Sequence, residues 1–405
     1  MGFDPTAQTH IRQWMHRYVE QKKYAGSALL IHQNGQEAFF HACGRRCIET
    51  DLAFQRDSLV RIYSMTKPVT SVALMMLVEQ GLFHLDAPVS DFLPEFATMQ
   101  ALVPGATQLN QTEDAPTPSL HQLLTHTSGL SYPFNPGLLP MAMDELDLIF
   151  SPKQGPLADR VKVLAGLPLA FQPGSRWEYS VGIDVIGRVI EVVSGKPLDV
   201  FLTEHIFRPL GMSETAFSVP DGAGDRFASL YTPLEGDAMA LNAAKSGGET
   251  LRLVDRAGES PFEAATTFSG GGGLISTIDD YSKFAEMLRN KGTANGARLL
   301  GPKTVEFMFR NHLPDDIASM GPQSFAEQPM EGTGFGIGGA VVLNPARTRA
   351  PSSVGDYGWG GMASTYFWID PVNALSTVFF TQLSPSSSYP SRAELKALVH
   401  AALVE

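Results

Sequence analysis

The chain has 405 residues, 43% hydrophobic and 18% charged, with a formal net charge of −12. That composition suits a globular protein with a substantial core, in one large domain or two intimate lobes. The acidic balance disfavours a phosphate-backbone partner, and no apolar run reaches bilayer-spanning length, so neither nucleic acid nor a membrane is expected.

Residues 7–21 carry Ile11, Met15 and Val19 four apart, which predicts an amphipathic helix. No basic start followed by an apolar run precedes it, so a secretory signal is not expected and the location implied is cytoplasmic. A hairpin follows, Ser27–Gln33 and Gln36–Cys43, because Asn34-Gly35 supplies the positive φ angles of a two-residue turn. Cys43 and Cys47, the two cysteines, read as ordinary thiols. A short strand at Leu59–Tyr63 leads into a helix over Ser64–Gln80, with Val69, Val72, Ala73, Met76 and Leu77 at helical period.

The middle of the chain alternates helix with Gly/Pro-rich loops at 103–118, 132–140, 151–157 and 234–262. The cleanest helix there is Val181–Ser194, ended by Gly195. Gly270–Gly273 lacks a following Gly-Lys-Ser/Thr, so it reads as a tight backbone crossing and not a phosphate loop. Phe335–Leu343, Gly358–Ile369 and Leu375–Leu383 are strand-like, and Ser391–Val404 predicts a closing helix. The two ends of the chain therefore predict one shared antiparallel sheet. The lobes expected are 1–85 with 265–405, carrying the sheet, and 86–264, mainly helical with long loops. The cleft between lobes is the expected position of a site.

The chemistry concentrates at three points. Ser64-Met65-Thr66-Lys67 is the sole S-x-x-K in the sequence. Residues three apart on a helix share a face, so hydroxyl and amine can meet, and the helix N-terminus favours developing negative charge. A serine hydroxyl needs a proton acceptor to become a nucleophile, and a lysine serves if it is neutral part of the time or activates a partner. Tyr179-Ser180-Val181 precedes the 181–194 helix, where a phenol can project from a loop. Trp359-Gly360-Gly361-Met362 places glycines in a strand, a mark of close approach and a source of a backbone N–H for a carbonyl oxygen. The ten histidines form no H-E-x-x-H pair, and His121 and His126 are five apart, so neither metal nor cofactor is expected.

Taken together, YSMTKP, LLTHTSGL at 123–130, YSVGIDVIGRVIEVVSG at 179–195 and WGGMASTYFWIDP at 359–371 resemble, in order, the penicillin-recognising serine hydrolases. Among these the chain looks most like family VIII carboxylesterases, with lovastatin-type acyltransferases as near relatives. The resemblance implies an α/β (α+β) fold of β-lactamase/transpeptidase type, an antiparallel sheet flanked by helices plus a helical lobe. It implies that Ser64 is acylated, that Lys67 and Tyr179 share proton transfer, and that the backbone N–H groups of Ser64 and Met362 form the oxyanion hole. Trp359, Gly360, Gly361, Tyr132, Phe134 and Val181 would contact substrate.

Two departures redirect the reading. Trp359 stands where lactamases carry the lysine of Lys-Thr/Ser-Gly, and Val181 stands where they carry the asparagine of Tyr-x-Asn. Both remove groups suited to an anionic, amide-bearing substrate. A serine carboxylesterase acting on neutral, short- to medium-chain esters is therefore expected, with weak β-lactamase side activity. The alternatives are a β-lactamase, DD-peptidase or acyltransferase, and a non-catalytic binding module. The G-x-S-x-G of α/β-hydrolases is absent, so His126 reads as packing, as does Asp184. Lys245-Ser246-Gly247 reads as a loop and not as the third motif. The sequence leaves oligomeric state open.

Overall fold

In the computed structural model, residues 2–234 and 251–404 are described; Lys245-Ser246-Gly247 lies outside them. Helix α1 (Pro5–Glu20) starts on Asp4, whose carboxylate accepts from the Thr6 and Ala7 N–H groups. Strands β1 (Gly26–Gln33) and β2 (Gln36–Cys47) form the expected hairpin, and β3 (Leu52–Ala53) adds an edge. Helix α2 (Thr66–Glu79) and helix α3 (Gly182–Ser194) pack together beneath the sheet, followed by helix α4 (Ile278–Arg289). The C-terminal strands are β4 (Thr333–Phe335), β5 (Ala340–Val342), β6 (Tyr357–Gly360), β7 (Tyr366–Asp370) and β8 (Leu375–Thr381), and helix α5 (Ser391–Ala401) closes the chain.

All eight strands join one antiparallel sheet in the order β4-β5-β6-β7-β8-β1-β2-β3. The seam that unites the two ends of the chain is β8 on β1, with Leu375 opposite Gln33 and Thr381 opposite Ser27. Both sheet faces are covered, so all seven residues of β8 are buried instead of alternating between core and solvent. On one face Leu29, Ile31, Trp368 and Phe379 meet Trp14 and Met15 of α1 and Leu395 and Val399 of α5. On the other face Leu30, Phe367, Val378 and Phe380 meet α4 and the wider core that includes α2 and α3.

Several boundaries differ from the sequence reading. The α-helix starts at Thr66, and Ser64 lies in a 3-10 turn, Tyr63–Met65, just before it. Gly358–Ile369 is not one strand but the hairpin β6–β7, and Met362 therefore sits in its turn. A Cβ at Gly361 would overlap the Ile62 carbonyl and Thr365, so the missing side chain lets this turn close against the segment before Ser64. Phe335–Leu343 is likewise split between β4 and β5 by a glycine-rich turn. Thr112–Ala115 pairs with Met99–Leu102, and Arg252–Asp255 pairs with Leu230–Thr232, inside segments that read as loops. The closing helix stops at Ala401, because Leu403–Val404 pairs with Gly2–Phe3.

Candidate active site

Lys67 is wholly buried in the first turn of α2, where an unpaired ammonium would be costly. Its Nζ donates to the Tyr132 hydroxyl at 2.8 Å, to the Gly271 carbonyl at 2.8 Å and to Ser64 Oγ at 3.3 Å. Those contacts use its three donors. Tyr63, immediately before Ser64, has φ +42°, a strained angle for a tyrosine.

The Gly271 carbonyl is itself positioned. Asp184 of α3 accepts from Ser269 Oγ at 2.5 Å and from Gly271 N–H at 3.0 Å. A Cβ on Gly271 would overlap the Asp184 carboxylate, which gives the glycine run its reason. Burial raises the Asp184 carboxyl above its ordinary range, and the nearby Lys67 ammonium pulls it back down.

Two tyrosines share the site. Tyr132 stacks on Phe134, with centroids 4.7 Å apart, and its hydroxyl meets Lys67. Burial and the neighbouring Asp184 and Tyr179 push its phenol well above the ordinary range, so Tyr132 keeps its proton. Tyr179 offers Lys67 the face of its ring, with Nζ 4.6 Å from the centroid, and its hydroxyl accepts from Trp359 Nε1 at 3.3 Å. The sequence reading paired Lys67 with Tyr179 directly; the hydrogen bond goes to Tyr132, six residues after His126, which that reading placed only in the pocket wall. Asn135 holds the Tyr179 carbonyl at 2.9 Å and so fixes the loop.

His126 is fully buried behind Tyr179 and adopts φ +58°. The Ser180 N–H donates to its Nδ1 at 3.2 Å, which places its proton on Nε2. Burial, then the Lys67 charge, hold it well below the ordinary histidine range, and it is neutral. Its ring meets Tyr179 edge-on at 4.7 Å. That geometry supports a loop.

These groups open into a cavity of about 420 Å³ whose lining includes Ser64, Tyr132, Phe134, Tyr179, Trp359, Gly360, Gly361 and Met362. Phe325 also lines it, stacked on Trp359 at 5.8 Å. No motif pointed to Phe325, which lies on the two-residue strand Ser324–Phe325. Val181 is a correction: it is fully buried at the start of α3, outside the cavity lining, and its N–H is tied to Ser131. Asp356, Asp370 and His400 offer ligand atoms within 4.8 Å of one another, but the Lys396 ammonium lies 3.3 Å from Asp356 and already supplies a cation there.

A hydroxyl beside a buried amine, flanked by phenols at the mouth of an apolar cavity, is an arrangement suited to moving a proton off an alcohol. Residues 11–401 match the family model described as Beta-lactamase. The chain belongs to the beta-lactamase family. It is 30% identical to Esterase EstB of Burkholderia gladioli over 90% of this chain and 87% of that one. Together with the motifs, that likeness sets it among the family VIII esterases of the superfamily. It is 27% identical to monacolin J acid methylbutanoyltransferase of Aspergillus terreus, over 95% and 92%. Its fold superposes on EstCE1, "a hydrolase with promiscuous acyltransferase activity", with a TM-score of 0.79 and 26% identity, covering 97% and 98% of the two chains. Within the beta-lactamase family this is thus the esterase/acyltransferase type. Among the described residues, no helix is long and apolar enough to cross a membrane.

Proposed function

We propose that this chain is a serine carboxylesterase that cleaves short- to medium-chain esters through an acyl-enzyme on Ser64. The observation that carries the reading is the buried Lys67 ammonium, held by Tyr132 and Gly271 with Ser64 Oγ 3.3 Å away. The ester carbonyl enters between Ser64 and the Gly361–Thr365 turn. Ser64 attacks as its proton passes to the Lys67/Tyr179 unit in the form one proton short, an ammonium with a phenolate or an amine with a phenol. Tyr132, which keeps its proton, orients Lys67. The oxyanion rests on the backbone N–H groups of Ser64 and Met362; loss of one such donor typically costs about 3–4 kcal/mol in barrier. The alcohol leaves with the proton, and water repeats the path to release the acid. A second alcohol arriving first gives transesterification, in keeping with the acyltransferases among the relatives.

Trp359 closes the cavity where a lactamase cation would stand, and buried Val181 offers no amide contact. A panel of p-nitrophenyl esters from acetate to octanoate, run beside nitrocefin, tests the substrate class. The expected result is kcat/KM for the best ester at least about a hundredfold above that for nitrocefin, because Val181 offers no side-chain contact to the lactam's amide. Equal or faster nitrocefin opening would reverse the assignment to a β-lactamase.

Asp184→Asn probes the support of Lys67. The amide oxygen can still accept from Ser269 and Gly271, but the anion beside the ammonium is gone. A loss of about tenfold in kcat is expected, since a neutral amide holds the Gly271 segment, and through its carbonyl Lys67, less firmly than the carboxylate does. Thermal stability should hold, because the buried carboxylate charge is itself costly. An unchanged kcat in a folded variant would confine Asp184 to packing.

A further inference from the structure

Two histidines meet outside the cavity and have no part in the scheme above. His121 stands in the short helix Leu120–Leu124, and His312 in the segment that leads from the helix Pro302–Met308 into β4. Both are half-buried, and neither lines the cavity. The spacing of His121 and His126 suits no helical chelate, but the fold gives His121 a different neighbour. Its Nε2 lies 3.0 Å from His312 Nδ1, across a sequence separation of 191.

The His312 tautomer is fixed. Its Nε2 lies 2.9 Å from the Phe307 carbonyl, which can only accept, so Nε2 carries the proton and the Nδ1 lone pair faces His121. A ring whose second N–H is held by a backbone carbonyl is in the state that metal-bound imidazoles adopt. Both backbones are pinned as well: the His121 N–H donates to the Leu85 carbonyl and the His312 N–H to the Phe335 carbonyl, each at 2.8 Å. Burial holds both rings below the ordinary histidine range, so both are neutral at neutral pH. The charged side chain that acts on His121 is the Asp86 carboxylate, which favours a cation there. Nitrogens 3.0 Å apart, each about 2.0–2.1 Å from one ion, subtend close to a right angle. His16 and His41 also bring their Nε2 atoms to 3.1 Å, but the Arg12 guanidinium acts on His41 and opposes a second cation.

We propose that His121 Nε2 and His312 Nδ1 together bind one transition-metal dication, copper(II) most tightly, with water in the remaining positions. On binding, the Nε2 proton of His121 moves to its own Nδ1, so both lone pairs meet the ion and no net proton is released. The right-angled bite suits the tetragonal geometry of copper(II) and nickel(II), and affinity for nitrogen sites peaks at copper. Zinc(II), which prefers a wider tetrahedral angle, should bind more weakly. The ion would tie the helix ahead of His126 to the segment ahead of Phe335, whose ring rests edge-on against Trp359. It takes no part in ester cleavage, and the inference is independent of the role of Ser64.

Calorimetric titration of the full chain, without a histidine tag, with copper(II) and then zinc(II) in a non-coordinating buffer tests it. A single high-affinity copper(II) site per chain is expected, tighter than that for zinc(II), with two imidazole nitrogens in its electron paramagnetic resonance spectrum. His121→Ala and His312→Ala should each weaken copper(II) binding by about tenfold or more, since even the loss of a group that merely orients a ligand costs about 10–100-fold. Each should also remove one nitrogen from the spectrum, and His16→Ala should change neither reading. In the unaltered protein, nickel(II) should slow carbethoxylation of His121 and His312 by diethyl pyrocarbonate, as mapped by peptide mass spectrometry; this decides the matter if a variant fails to fold. Absence of saturable copper(II) binding, equal affinity in both folded variants, or nickel(II) protection that falls on other histidines overturns the proposal.

Discussion

Ser64→Ala is expected to lower kcat/KM for p-nitrophenyl butyrate by a factor on the order of 10⁴–10⁶, as removal of a serine nucleophile does elsewhere. The argument is geometric. Ser64 Oγ is an aliphatic hydroxyl within reach of Lys67, and it stands on a short turn that opens into the cavity. Alanine removes the oxygen and one hydrogen bond to Lys67, while the two shorter bonds of that ammonium, to Tyr132 and Gly271, persist. The fold should therefore survive, and loss of rate reads as loss of chemistry. Initial-rate kinetics beside a thermal melt make the check. A folded Ser64→Ala protein with undiminished turnover would remove Ser64 from the reaction.

The second large effect concerns the proton-transfer unit. Lys67→Met and Tyr179→Phe are each expected to lower kcat by about 10²–10⁴, the range of general acid–base catalysis. The double variant should lose little more than the worse single one, because groups that pass one proton act as a unit. Tyr132→Phe should cost less, about tenfold, since Tyr132 keeps its proton and serves by holding Lys67. A double-variant cycle measured on one ester decides this. Additive losses for Lys67 and Tyr179 would separate their roles, and a Tyr132→Phe loss as deep as that of Tyr179→Phe would make Tyr132 the proton carrier.

Much of the frame was legible in the residues. The Asn34-Gly35 turn fixed the first hairpin, and the apolar spacing of Ile183, Ile186, Val189 and Ile190 marked the helix that supports the site. The order of S-x-x-K, HTSGL, Tyr179 and Trp359-Gly360-Gly361 pointed to the family that the whole-chain match shows. What stayed hidden was set by distant backbone. The lysine's carbonyl partner comes from Gly271, some two hundred residues away in sequence (|i−j| 204), and no motif specifies a carbonyl. The glycine run was visible as a tight crossing, but the Asp184 carboxylate that requires it belongs to α3. Met362 reads as strand because Gly358–Ile369 is an uncharged run of glycine and apolar residues broken only by Ser364 and Thr365; the packing of Gly361 on Ile62 places the turn there. Phe325 sits on a two-residue strand whose local pattern carries no chemical signal.

Intact-mass spectrometry with peptide mapping, after treatment with a fluorophosphonate, tests the central claim most directly. A single adduct is expected per chain, located on Ser64 and abolished by Ser64→Ala. No adduct, or one located on another residue, would contradict the account.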